Sequence, residues 1–550
     1  MTSLNHQARR FAGMAIRPVL LGVMMVATPV FAQHDDHVTH GRRDAEGAVF
    51  GHVSFPNSGN PAAQKPFLTG LALLHSFEYE QAADSFKAAQ KADPRFALAY
   101  WMEALTNSKI VWGLEDTAAA HATLARLAPT SDARLRLART QRERSFGAAV
   151  EAFYKGGGQQ ARVQSFADSM RHLVKAMPAD HEARAFAALA IIWQAFYLRG
   201  ASADSLNREA VGHAQFVFDR NPQHPGAAHY IIHASDAPAA AQRGLKAARE
   251  YSRIAPDAEH ALHMPSHIFL PLGLWDDMVQ SNERAWRASR AETARLRLPA
   301  SENDWHSLNW LQYAYLQLGR WKDARALIDS ARTLTGEMNE RISPADNPDG
   351  AFVVEQLAFR YGSETGDWTL FPADSAAIDF RSGTISPRAA SMAMVSLYQR
   401  GAIAAIRGDS LPAMNAANAI RPVRPAFADM IEVTLLNAQG KLGAAIAAME
   451  KLRKTTRVDR YSSMIPTPVI NNDETLGAAL VSMKRPREAV RIYQEALIDR
   501  PRRAASLAGL ARAQSAAGDQ EGARKTLAEL AAMLRKADPE ARRQLGVAGN

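Results

Sequence analysis

Apolar residues along most of this chain recur every three or four positions, with polar residues between them. The stretch "GLALLHSFEYEQAADSFKAAQKADP", from Gly70 to Pro94, shows the pattern. That spacing places one apolar stripe along a helix. The helices come in pairs: two amphipathic stretches, a short polar break between them, and a proline at the end. Within this pair Gly70, Ala82, Phe86, Ala89 and Pro94 hold characteristic places. Similar grammar returns in "LQLGRWKDARALIDSA" (Gly319, Trp321, Ala324, Ala331) and in "PREAVRIYQEALIDRP" (Ala489, Tyr493, Ala496, Pro501). "AQSAAGDQEGARKTLAELA" is a degenerate last copy. Small residues belong where paired helices cross closely, and the proline closes the second helix.

This is the grammar of the tetratricopeptide repeat. It predicts an all-α chain of helix-turn-helix repeats stacked into a superhelical solenoid, because one pair cannot bury its apolar face alone. The expected organisation is one array over 67–334 and a second over 391–550. Between them, "ISPADNPDG", "SETGDWTLFPADS" and "RSGTISPRAA" interrupt the periodicity, so 335–390 reads as an irregular insert or joint. Residues 33–66 read as a flexible N-terminal arm. The first helix of each copy should line a concave groove suited to a protein or peptide ligand.

The first 32 residues read differently. Arg9, Arg10 and Arg17 precede the apolar run "VLLGVMMVATPV", and Val30-Phe31-Ala32 precedes Gln33. This predicts a cleaved signal peptide and an exported chain, periplasmic or secreted. The sequence contains no cysteine, which removes disulfides, thiolate metal sites and cysteine nucleophiles. No later stretch is long and apolar enough to span a membrane. The formal charge of +9 falls to +6 without the three leader arginines. The remaining charges alternate along helices, and nucleic acid is not an expected partner.

Histidines supply the candidate chemistry. Pro222 and Pro256 lie 34 residues apart and serve as repeat-closing prolines. In that frame His229 and His263 share one repeat position, His233 and His267 another, and Asp236 and His260 extend the same helical stripe. His306, Asn309 and Tyr313 continue it in a later copy. The predicted ligand groove is therefore His229, His233, Asp236, His260, His263, His267, His306, Asn309 and Tyr313. Three readings of the stripe stand open: packing, an organic or peptide ligand, or a divalent transition metal such as zinc held by His229, His233, His263 and His267. Pro265 either starts a helix or kinks one, which decides where His260 and His263 point. Near the first helix crossing, Tyr100 and Trp101 read as packing, and Glu103 requires a basic partner. "HYIIH" lacks the glutamate of the HExxH motif, and no phosphate loop or GxSxG elbow occurs. No motif assigns a reaction.

The segments "FGHVSFPNSGNPAAQKPFLTGLALLHSFEYEQAADSFKAAQKADPRFALAYW", "HYIIHASDAP", "EHALHMPSHIF" and "SLNWLQYAYLQLGRW" together resemble bacterial tetratricopeptide repeat proteins similar to tetratricopeptide repeat protein 38. The resemblance covers about Phe50 to Leu334. It implies an all-helical repeat fold without an established activity, and it matches His229, His233, His260, His263 and His267 to segments such relatives carry. Two departures are the absence of a Cys near Gly59 and Met102 in place of a Gly. The expected function is an exported scaffold or adaptor that binds a protein or peptide, the alternative being a metal-binding or metal-dependent protein built on the histidines.

Overall fold

The computed structural model describes residues 47–339, 349–371, 387–455 and 471–547. The leader, and the arm as far as residue 46, lie outside the described residues. The chain is an all-α solenoid of helix hairpins; the strands among the described residues are the short pair Ser108–Lys109 and Leu114–Glu115. Consecutive helices pack antiparallel, as in Pro61–His75 against Tyr79–Ala92 and Asn472–Ser482 against Pro486–Asp499.

The repeat grammar has a steric basis. A Cβ on Gly70 would lie 2.9 Å from the Phe86 ring, and one on Gly477 would lie 2.5 Å from the Tyr493 ring. Both glycines stand sixteen residues before the aromatic they admit, so each copy uses the same close crossing. Gly319 differs. It follows the helix Trp305–Gln317 at φ +66°, where it ends the helix, and a Cβ there would stand 2.7 Å from Ala537 of the C-terminal array.

Two expectations need correction. The arm is ordered well before residue 67. Phe50, Val53 and Phe55 are buried, His52 N–H donates to the Gln223 carbonyl at 2.8 Å, and the first helix begins at Pro61. Apolar side chains in "FGHVSF" and a left-handed Gly51 (φ +86°) let this segment lie against the repeats. A Cβ on Gly51 would stand 2.7 Å from the Gln223 carbonyl oxygen. The joint is also less irregular than its glycines and prolines suggested. It contains the helix Asp349–Thr365, whose Val353, Val354, Leu357, Ala358 and Tyr361 join the N-terminal core at helical spacing.

The two arrays touch. Trp275 Nε1 donates to the Arg502 carbonyl at 2.9 Å, the Asp538 N–H to the Gly319 carbonyl at 2.9 Å, and the Ala504 N–H to Gln317 Oε1 at 3.1 Å. Leu507, Ala508, Leu530, Leu534 and Ala541 belong to the same apolar core as the N-terminal repeats. Arg503, 5% exposed, ties the contact: it pairs with Glu364 at 2.7 Å and with Glu474 at 2.7 Å, and donates to the Tyr313 hydroxyl at 3.1 Å. The last repeats thus fold back onto the helix Trp305–Gln317.

Candidate functional site

Three consecutive structural units deliver the histidines. Pro225–Ala234 begins with a proline, whose missing N–H costs nothing at a first helical turn, and is capped by His224, whose Nδ1 accepts from the Ala227 N–H at 3.1 Å. His229 and His233 follow one turn apart on one face. Next come the short helices Glu259–His263 and Ser266–Phe269. Pro265 lies between them with helical dihedrals (φ −54°, ψ −28°), so it interrupts the hydrogen-bond ladder without turning the chain away. His260, His263 and His267 therefore stay on one side. His306 enters from the start of Trp305–Gln317, a helix that Asp304 caps at the Ser307 N–H.

These side chains do not line an open groove. His229 is 0% exposed, and His263, His267 and His306 are also buried. Facing helices of adjacent repeats close over them, and aromatic rings fill the gaps. Phe77 meets His229 edge-on with centroids 4.3 Å apart, and Tyr251 stacks on His229 at 5.1 Å. Trp310 packs on His267 at 4.5 Å. His233, His260 and Asp236 are half-buried at the margin of this chamber. Asn309 and Tyr313 leave the stripe altogether. Asn309 accepts from buried Arg360 at 3.1 Å, and Tyr313 belongs to the Arg503 contact. Burial holds the Arg360 guanidinium down to about 10.

The predicted metal quartet of His229, His233, His263 and His267 does not form one set. Two trios form instead, each with one ligand atom per residue within 4.8 Å of the others: His229, His233 and His260, and His263, His267 and His306. They adjoin where the His233 and His267 rings stand 6.3 Å apart. The quartet fails because each pair finds its third donor elsewhere: His260 completes the set around His229 and His233, and His306 the set around His263 and His267.

Hydrogen bonds fix several tautomers. His229 Nδ1–H donates to the His75 carbonyl at 2.7 Å, which leaves the lone pair on Nε2. That atom is buried and has no hydrogen-bond partner. Burial pushes His229 down to about 3, so its imidazole is neutral. His267 Nδ1–H donates to Asp236 Oδ2 at 2.6 Å. The Asn282 amide donates to the Met278 carbonyl and to Ser266 Oγ, both at 2.8 Å, so its oxygen must be the acceptor for His263 Nδ1–H at 2.7 Å.

A third cluster escaped sequence reasoning. His75, Glu182 and His224 meet in the core, with His75 Nε2 and His224 Nε2 at 2.8 and 3.1 Å from the two oxygens of Glu182. The Tyr230 hydroxyl lies 2.9 Å from His75 Nδ1. Burial alone would raise Glu182, but His224 and His75 beside it hold the carboxyl well below the usual range. Every nitrogen in this knot has a partner, so its role is structural. The clue in the sequence was "QHPGAAHY", where His224 stands at a helix cap; nothing local pointed to Glu182. Trp101 is buried, with Nε1 donating to Glu151 at 2.9 Å, and Glu103 does find a base in Arg126.

Comparison with known proteins adds a match of residues 480–545 to the tetratricopeptide repeat family model. The chain carries tetratricopeptide repeats. Among curated proteins none matches. Solved structures similar to this repeat protein include the human IFIT1 dimer with m7Gppp-AAAA, at 12% identity over 80% of this chain and 90% of that one, with TM-score 0.34. The TPR domain of P58(IPK) is 14% identical over 88% of this chain and 96% of that one, with TM-score 0.21. Yeast Tom70 is 11% identical over 88% of each chain, with TM-score 0.27. The fold assignment rests on the helix hairpins themselves. No helix among the described residues is long and apolar enough to cross a membrane.

Proposed function

We propose that this repeat protein is a scaffold that holds a protein or peptide partner, and that it works outside the cytoplasm. The observation that carries the reading is where apolar side chains stay in solvent. Of the six large exposed ones among the described residues, four belong to the C-terminal array: Leu411 at 73%, Ile498 at 56%, Val423 at 49% and Met483 at 46%. Helical repeats offer long surfaces on which such side chains act as anchors. The leader-like first 32 residues support export. His229, His263, His267 and His306 are buried, so the reading places the partner on the exposed apolar side chains and not on these histidines.

The test is site-specific photo-cross-linking in the native host, with the probe at Leu411 or Ile498. The scaffold reading expects one discrete adduct outside the cytoplasm that disappears in a Leu411→Asp/Ile498→Asp variant of wild-type stability. Absence of any adduct at both positions, or adducts indifferent to that variant, would sink the reading.

A further inference from the structure

The chamber has a problem of its own, independent of whether the repeats hold a partner. Asn282 and Asp236 fix the protons of His263 and His267 on Nδ1, yet the two Nε2 atoms face each other at 3.1 Å. As neutral rings they would direct two lone pairs at one another in a buried space. Such an arrangement is stable only with a positive charge between them, either a shared proton or a metal ion. Nitrogens bound to a tetrahedral zinc at 2.0–2.1 Å lie roughly 3.3–3.4 Å from each other, so these two atoms need separate by only a few tenths of an ångström to share one ion. His306 places its donor in the same set.

The surroundings match what metal-bound imidazoles require. Each ligand histidine normally gives its other N–H to a carboxylate or carbonyl, which fixes the ring and raises its basicity. Asp236 does this for His267, the Asn282 amide oxygen for His263, and the His75 carbonyl for His229. The buried, unpartnered His229 Nε2 marks the second trio by a separate observation. The His75–Glu182–His224 knot shows the contrast, since there each nitrogen is already used.

We infer that the two trios bind divalent transition-metal ions, one at His263–His267–His306 and one at His229–His233–His260. Imidazole donors without thiolate suit zinc, cobalt, nickel or copper, and three ligands leave a coordination position open. The half-buried His233, His260 and Asp236 give the side from which an ion enters.

The test uses the untagged protein, stripped with chelator and titrated with Zn(II) against a chromophoric competitor, then with Co(II). The wild type should bind about two equivalents. His267→Gln and His229→Gln should each lose one, and His172→Gln, an exposed histidine far along the chain, should lose none. Asn282→Leu keeps all six rings but removes a proton acceptor, and should weaken one site roughly 10–100-fold. Because ligand variants can misfold, X-ray absorption of the wild-type zinc protein gives a second readout, with three imidazoles at about 2.0–2.1 Å expected per ion. No tight binding by the wild type, or oxygen-dominated coordination, overturns the proposal; unchanged stoichiometry in a folded His267→Gln or His229→Gln overturns it for that trio.

Discussion

Replacing Arg503 with methionine tests the junction between the arrays. The guanidinium serves Glu364, Glu474 and Tyr313 together, and its removal strands two carboxylates whose side chains are 8% and 17% exposed. Breaking a buried ion pair by deleting one partner costs about 3–5 kcal/mol, because the remaining charge stays desolvated. We expect Arg503→Met to destabilise by that amount, read as a fall in the urea midpoint with unchanged slope. Amide exchange should then quicken across Trp305–Gln317, the helix that the junction covers. The charge account has a sharper consequence. Adding Glu364→Leu and Glu474→Leu should recover most of the loss, since apolar replacement of a whole buried ionic cluster is often neutral or better. A loss under about 1 kcal/mol in Arg503→Met would refute the reasoning, as surface pairs behave that way. So would a triple variant weaker than the single one, which would assign the effect to packing.

Further outcomes follow from other sites. Burial would raise Glu474, but Arg503 holds its carboxyl below the usual 4.5, so this pair stabilises above that value and the contribution fades as pH falls through it and lower. The midpoint gap between wild type and Arg503→Met should accordingly narrow from pH 7 toward pH 3; a constant gap contradicts the assignment. Gly226→Ala would set a Cβ 2.5 Å from His75 Nδ1 and should cost about 1–3 kcal/mol in thermal unfolding. Gly212→Ala, in the exposed face of Gly200–Arg220 with nothing within 4 Å, should stabilise by about 0.5–1 kcal/mol in the same assay. Deleting residues 502–547 should leave the leading repeats helical by circular dichroism but strip exchange protection from Trp305–Gln317; full protection in the truncated chain would show the junction to be dispensable.

The periodicity made the fold legible because helix pairing is local: Gly70 with Phe86 and Gly477 with Tyr493 repeat one steric rule within one copy. The histidines were legible as residues and as helical neighbours, and His229 and His233 do share a face. Their grouping was not, because it depends on how non-identical copies stack. Pro265 preserves the helical direction, and His306 arrives from a copy outside the regular spacing. Burial was hidden for a related reason: Phe77 and Tyr251 close over His229 from elements separate from its own helix. Glu182 sits 42 residues from His224 and 107 from His75, beyond any local pattern. The Arg503 junction, 190 residues from Tyr313, is of the same kind.

That junction also sets a timetable. A linear solenoid can fold copy by copy as it is made, each repeat needing only its predecessor. Here the helix Trp305–Gln317 is synthesised with part of its buried surface uncovered, and its partner at Arg503 follows 190 residues later. At ordinary synthesis rates of about 5–20 residues per second the delay is roughly 10–40 s. For that interval Tyr313, Gln317 and their neighbours belong to an unfinished edge, exposed to chaperones or to another nascent copy. The last repeats act less as an extension of the array than as its closing step, so a premature stop or frameshift near residue 500 would compromise helices completed long before it.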